Sequence, residues 1–437
     1  MQAKATAKNI ERIDEAVEGS VYQNLHHKIS SSPWEHRPLI DEIACQADGL
    51  LGGGMRTRLV LDDTGISKKG PKSVGVARQY SGRVGKLDNC QIAVCASLAS
   101  GQRSTLCDIR LYLPKEWTDD PARCCEAGIP EAEQCFRTKA QIALEMVLHQ
   151  RELGVRFDVV STDSGYGSQT PFLHDLDTAG ETFVAEVHCD QHVYLEPPWP
   201  HNESLRGGKK LKHHRPSNTS TKVAQWAADQ PDTDWKRLKV RDCDQGWVEV
   251  NYLTRRVWMM DGETQKVWWL LTWENPDERH HTGKKVTGPR RHYALSNAPA
   301  DMDERRLVAD GVERNVVERN FRDGKSEVGM ADYQVRGWLA WQHHMTLVML
   351  AMLFLTREKM HWTPSPDQPE HVPITCGDIV FMLERLLPEK GRGRPNVAKC
   401  RLLLERRIAQ RQRDQDRRKR KTSRERPPPL PDEIAPE

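Results

Sequence analysis

Three acidic positions sit where carboxylates can do chemistry. The run TRLVLDDTG (57–65) is an apolar strand-like stretch that closes on Asp62 and Asp63 and a turn. The run VRFDVVSTDSGYG (155–167) closes the same way on Asp163. An acid at the end of a buried strand is unfavourable unless a metal ion or a hydrogen-bond network compensates it. If the two strands are neighbours, two carboxylates meet at one sheet edge. Adjacent strand residues point to opposite faces, so only one of Asp62 and Asp63 can readily face Asp163. The competing reading makes both aspartates turn residues ahead of Gly65.

The third acid lies in GVERNVVERNFRDGKSEVG (311–329), which reads VERN twice. At about 100° per residue, Arg314, Glu318, Arg322 and Lys325 fall on one polar stripe beside the apolar arc of Val312, Val316, Val317 and Phe321. Glu313 falls about 140° and Glu327 about 180° from Glu318. Glu318 therefore shares a face with an arginine before it and a lysine after it, and the two VERN copies are not equivalent. Ordinary i, i+4 pairing on a surface helix explains the same stripe.

The elements that must position these acids are legible in outline. Asn9–Leu51 reads as helical, with Ser31 or Ser32 capping a helix that starts near Pro33. Three further strand-like runs follow TRLVLDDTG: SVGVARQY, NCQIAVCASLAS and TLCDIRLYLP, the first two joined as a hairpin by SGRVGKLD. A helix then ends at Gly154, and the strand carrying Asp163, a helix (TPFLHDLDTAG) and a last strand (ETFVAEV) complete a mixed α/β order. From His188 to about Tyr293 the chain turns polar, then becomes β-rich around a DGET turn, with Trp247, Trp258, Trp268, Trp269 and Trp273 gathered there. Mostly helix runs from Asp303 to about Met360. The segment PSPDQPEHVP is a linker, and a short helical piece (Cys376–Leu387) and a basic tail follow.

The net charge of +3 hides an asymmetry: residues 392–426 hold fifteen Lys and Arg against four acids. Such a tail suits a polyanion such as DNA, or is a solvated, disordered extension. Within it, GRGRP carries the Arg392 and Arg394 pattern of a minor-groove hook. Eleven scattered cysteines without a C-x-x-C argue against a disulfide framework or a zinc finger. The apolar run Met345–Leu355 is short for a membrane span, and the N-terminus lacks the apolar core of a secretory signal. A cytoplasmic protein is expected, without membrane association or a small-molecule cofactor.

These blocks together resemble the DDE transposases of bacterial insertion sequences, in the group marked Y-x2-R-x3-E-x6-K. Here the signature reads Gly311, Arg314, Glu318, Lys325, with glycine replacing the tyrosine. The continuation KSEVGMADYQVRGWLAWQHH, the block LVLDDTGISKKGPKSVGVARQYSGRVGKLDNCQIAV and the TDSGYG around the second acid resemble one branch of that group. The resemblance runs roughly from Asn9 to Leu355 and keeps the blocks in order.

It implies an α/β, ribonuclease-H-like catalytic domain interrupted by a β-rich insertion, with a helical N-terminal segment and a basic C-terminal tail. The corresponding divisions are a helical segment at 1–56, catalytic parts at 57–187 and 294–362 around an insertion at 188–293, and a linker and basic DNA-binding tail at 363–437. The N-terminal segment is shorter than in related transposases. The implied catalytic and metal-holding residues are Asp62, Asp163 and Glu318. By the family's D-x-T pattern Asp62, not Asp63, is the ligand. Two Mg²⁺ ions suit three carboxylates, with Mn²⁺ as substitute. Arg314 and Lys325, with Arg322 from helical geometry, are expected to hold phosphates beside the glutamate, and Lys68 and Lys69 to meet the DNA backbone. One of the insertion's tryptophans could stack on a flipped base, although a tryptophan-rich β core explains them as well. The implied activity is cut-and-paste transposition on double-stranded DNA by a homodimer. The alternatives are an idle relic that only binds DNA, and a nuclease without strand transfer.

Overall fold

A computed structural model describes residues 8–81, 85–198, 200–201, 215–216, 218–243, 246–261, 264–282, 285–362, 374–387 and 396–425. The linker PSPDQPEHVP and the GRGRP segment with Arg392 and Arg394 lie outside the described residues.

Three helices open the chain: α1 (Ile10–Ala16), α2 (Tyr22–Ser30) and α3 (His36–Leu51). The third begins later than the Ser31/Ser32 cap predicts. Its N-cap is Glu35, whose side chain makes no cap hydrogen bond. Packing of Ile40, Ile43, Ala44 and Ala47 into the core holds the helix instead.

Four antiparallel strands follow: β1 (Thr57–Ser67), β2 (Ala77–Ser81), β3 (Lys86–Ser100) and β4 (Arg103–Leu111). Helix α4 (Lys139–Glu152) is closed at its start by a capping box between Thr138 and Gln141. Strand β5 (Val159–Thr162), helix α5 (Thr170–Thr178) and strand β6 (Phe183–Glu186) complete the first half. Long strands β7 (Lys236–Cys243), β8 (Gly246–Asp261), β9 (Thr264–Thr282) and β10 (Lys285–Ser296) come next. The last helices are α6 (Glu304–Val312), α7 (Val316–Glu327), α8 (Trp338–His361), α9 (Cys376–Leu386) and α10 (Val397–Glu425).

All ten of these strands belong to one mixed sheet, ordered β7-β8-β9-β10-β6-β5-β1-β3-β2, with β4 also on β3. The tryptophan-rich strands thus extend the central sheet. Strand β10 pairs antiparallel with β6 through Ala294 and Leu295. In the middle, β1, β5 and β6 run parallel.

Both faces of this middle region are buried. Leu59, Leu61, Val160 and Leu270 join the larger apolar cluster. Val159, Val184, Leu271 and Trp273 join a second, with Leu307 and Val308 of α6. On β5, β6 and β9 alternation produces this division, Val160, Ala185 and Leu270 falling on one side and Val159, Val184 and Leu271 on the other. Helix α8 is long and apolar enough to cross a membrane by composition, but 72% of its apolar window is buried inside the fold. It is a core helix, with Trp341, Met345, Val348, Met349 and Met352 buried.

Candidate active site

The three parallel strands bring acids into line. Leu61 of β1 lies beside Thr162 of β5, and Thr162 beside Ala185 of β6. One residue further along each strand come Asp62, Asp163 and Glu186. A row of three carboxylates therefore stands where the parallel pairing stops. Strand β1 does not end at its aspartates, as the turn signal suggested. It continues to Ser67 against β3, because Thr64, Gly65 and Ile66 still pair there and are buried.

Asp163 closes β5 and caps the single helical turn Ser164–Gly167. Its Oδ1 accepts from the Gly165 and Tyr166 amides at 3.0 and 3.3 Å. Asp62 and Asp63 separate as the pleat requires. Asp63 accepts from Lys139 Nζ of α4 at 2.7 Å. It also borders a cavity of about 270 Å³ with Asp163, Tyr112 and Phe136. Asp62 faces the other way, toward Arg314.

Arg314 is the hub. Its Nη1 donates to Asp62 Oδ2 at 3.4 Å and its Nε to Glu186 Oε1 at 3.1 Å. Its Nη2 lies 3.9 Å from Glu318 Oε1. The guanidinium is nearly buried, whereas the Glu318 side chain is 67% exposed. The arginine thus runs from the floor of the sheet to an open rim.

Glu313, one residue earlier, meets a different part of β1. Its Oε2 accepts from Arg58 Nη1 at 2.7 Å and from Arg56 Nη2 at 2.9 Å, beside Asp310. Arg58 is fully buried and Glu313 nearly so. Alternate residues of β1, Arg58 and Asp62, are therefore clamped by neighbouring residues Glu313 and Arg314. Both VERN glutamates are placed, one as a lock and one at the rim.

The continuous helix behind the predicted stripe is interrupted. Residues Glu313–Asn315 form a 3-10 turn between α6 and α7. Arg314 still reaches Glu318, but the stripe does not stay together. Arg322 is 72% exposed and lies 3.8 Å from its neighbour Asp323. Lys325 Nζ donates to Thr64 Oγ1 at 2.6 Å and the Gly65 carbonyl at 3.1 Å, tying α7 to β1 just past Asp62. Lys68 donates to the Tyr333 carbonyl at 3.0 Å and lies over that ring, and burial lowers its pKa to about 8. Lys69 is exposed.

Glycine at 311 has a steric cause. A Cβ built there would lie 2.8 Å from the Trp273 ring. That ring, from β9, fills the space a side chain at 311 would need. Of the remaining tryptophans, Trp268 is buried edge-on against Phe183 and belongs to the core.

The electrostatics follow from crowding. Burial raises the Asp62 carboxyl well above its usual range; Arg314 opposes this, and Asp163 and Asp63 add to it. Burial likewise raises Asp163 against the pull of Arg314. Burial also works to raise Glu186, but a His292 hydrogen bond and Arg314 outweigh it, and that carboxyl ends low. The Arg314 guanidinium is held firmly charged: burial is overcome by Glu186 and Asp62.

Among the described residues no three His, Cys, Asp or Glu side chains make a finished metal cluster. Arg314 lies among these acids instead. The donor chemistry nonetheless fits a hard divalent cation: carboxylate oxygens, two of them crowded until their ionisation is disfavoured. Asp62, Asp163 and Glu318, the ligands expected from the sequence, lie among the acids gathered here with Asp63 and Glu186.

Glu186 has no place in the motif reading. The run ETFVAEV looks like an ordinary strand, and only the parallel pairing of β6 with β5 makes its last acid a neighbour of Asp163.

The family described as DDE superfamily endonuclease matches residues 1–246. Over 180 residues the chain is 29% identical to the probable transposase for insertion sequence element IS701 of Microchaete diplosiphon, a match covering 40% of this chain and 43% of that protein. The chain thus matches less than half the length of that curated relative.

Proposed function

The chain belongs to the DDE superfamily endonucleases, and from that premise we propose that it is a transposase that cleaves DNA at the ends of an insertion sequence and joins them to target DNA. The observation that carries this reading is that Asp62 and Asp163 each stand one residue past Leu61 and Thr162, the last paired residues of neighbouring parallel strands, with Arg314 3.4 Å from Asp62 and 3.9 Å from Glu318.

In this reading the fold is ribonuclease-H-like, with the tryptophan-rich strands as its insertion. Asp62, Asp163 and Glu318 would hold two Mg²⁺ ions, which would supply charge neutralisation and activation of a nucleophile at phosphorus. The chain's own groups orient the DNA. Arg314 presents its guanidinium beside the acids, where a phosphate next to the scissile bond would sit. Arg322 and Lys69 are exposed cations at the rim. Arg392 and Arg394 in the tail add backbone or minor-groove contacts. Lys325 and Lys68 stiffen the β1 side through Thr64 and Tyr333. The reaction is cut-and-paste: a nick at the element end, attack of the 3′-hydroxyl on the opposite strand, hairpin opening and joining. Two copies on paired ends would act together, in the cytoplasm at the nucleoid.

The test is cleavage of a labelled duplex bearing the flanking element end, with Mg²⁺ or Mn²⁺. Wild type should nick at the element boundary, and Asp62→Asn and Asp163→Asn should not. Cleavage without joining to a target plasmid would reduce the protein to a nuclease. Binding without cleavage would make it a DNA-binding relic.

A further inference from the structure

We propose that Glu186 is a positioning residue for this reaction: it holds the Arg314 guanidinium against the acid row and ties it, through His292, to the extended sheet. The inference rests on the reading of the site as a DNA-cleaving centre.

Three observations lead to it. The first is register. Glu186 continues the line of Asp62 and Asp163 on the next parallel strand, so its carboxylate is fixed by sheet pairing rather than by a loop. The second is geometry. Glu186 makes the shortest of the three carboxylate contacts to Arg314, at 3.1 Å against 3.4 Å for Asp62 and 3.9 Å for Glu318. Both partners are largely buried, with side-chain exposures of 17% and 11%. A charge-assisted hydrogen bond shielded from water is strong and directional. Arg314 needs such a hold because the backbone under it is a 3-10 turn between two helices. In the proposed reaction Asp62 also serves the metal ions, whereas Glu186 gives Oε1 to Arg314 and turns Oε2 to His292.

The third is the support behind Glu186. His292 of β10 brings Nδ1 to 3.9 Å from Glu186 Oε2. Its ring stacks on Trp273 of β9, with centroids 5.4 Å apart and planes within 6°. The Trp273 ring in turn occupies the place of a Cβ at Gly311, three residues before Arg314. The line Trp273–His292–Glu186–Arg314 thus approaches the arginine from its side chain, and Trp273 also approaches its helix. The added strands do more than cover the core: they set where the guanidinium lies.

The test combines kinetics with a direct view of the arginine. Single-turnover cleavage at saturating DNA is measured for wild type, Glu186→Gln, Arg314→Gln and the double variant, with DNA affinity measured alongside. Glu186→Gln should slow cleavage by about 10- to 100-fold and leave DNA affinity within about 2-fold, because what is lost is orientation. The double variant should be no slower than Arg314→Gln alone. Multiplying losses would overturn the proposal, since a merely structural Glu186 would add its own defect.

Independently, the Arg314 Nε–H should give a slowly exchanging ¹⁵N–¹H signal, identified by its loss in Arg314→Lys. That signal should vanish in Glu186→Gln, and its persistence would overturn the proposal even if wild type fails to cut DNA, a failure that would count against the transposase reading alone. Should Glu186→Gln not fold, Glu186→Asp gives the same readings, because it keeps the charge and withdraws it by one methylene.

Discussion

At the scale of single residues, the two VERN copies separate a buried glutamate from an exposed one. Glu313 is buried in a cluster with Arg56, Arg58 and Asp310. Removing its charge leaves two arginines facing one carboxylate that burial already disfavours. Glu313→Gln should lower stability by about 3 kcal/mol, the usual size of a broken buried pair, read from urea unfolding. Glu318→Gln should change stability by less than about 0.5 kcal/mol, as expected at an exposed position. Position 311 gives a second prediction. Gly311→Tyr should destabilise the protein rather than restore the family signature, because Trp273 fills the space its side chain needs; a melting temperature at or above wild type would refute this. Much of this scale was readable. Helical spacing put Glu313 and Glu318 on different faces, and they do meet different partners. Spacing could not say that Glu313 is buried, since its partners Arg56 and Arg58 are more than 250 residues away. Glu186 was illegible for the same reason.

At the scale of elements, helix α7 carries the glutamate and is pinned at two points besides Arg314. Asn320 accepts from Ser104 Oγ at 2.8 Å and donates to Ser97 Oγ at 3.1 Å, fastening the helix to β4 and β3. Lys325 fastens its far end to β1. Asn320→Ala should cost about 1–3 kcal/mol by leaving buried hydroxyls unpaired. It should also slow cleavage without touching any acid, because Glu318 rides on this helix; unchanged cleavage would show that α7 is held by its apolar face alone. The element order was largely legible, since strand and helix periods differ over runs of this length. The 3-10 break between α6 and α7 was not, because residues 312–316 keep a helical pattern. Nor was the fusion of β10 to β6, which depends on pairing across more than 100 residues. The tail reads as charge alone, yet Val397–Glu425 is one helix.

At the scale of the whole molecule, buried titratable groups set a pH dependence. Burial lowers His36 to about 4 and His344 to about 3, from an ordinary 6.5. Both are neutral in the fold. Below about 6.5 the unfolded chain binds the extra protons, so their contribution is full above that pH and declines as pH falls toward their folded values. Asp62 and Asp163, raised in the fold, act in the opposite sense. A variant isolates the histidine: His344→Gln should flatten the fall in urea midpoint between about pH 7.5 and about pH 5. An unchanged slope would mean that His344 does not drive it.

The central claim, that the second VERN holds the reactive acid, is tested most directly by cleavage of the element-end duplex with Mg²⁺. Wild type, Glu318→Gln and Glu313→Gln would be compared at a temperature where all three are folded. Wild type and Glu313→Gln should cut, and Glu318→Gln, folded and DNA-bound, should not. Cleavage by Glu318→Gln at the wild-type rate would contradict it.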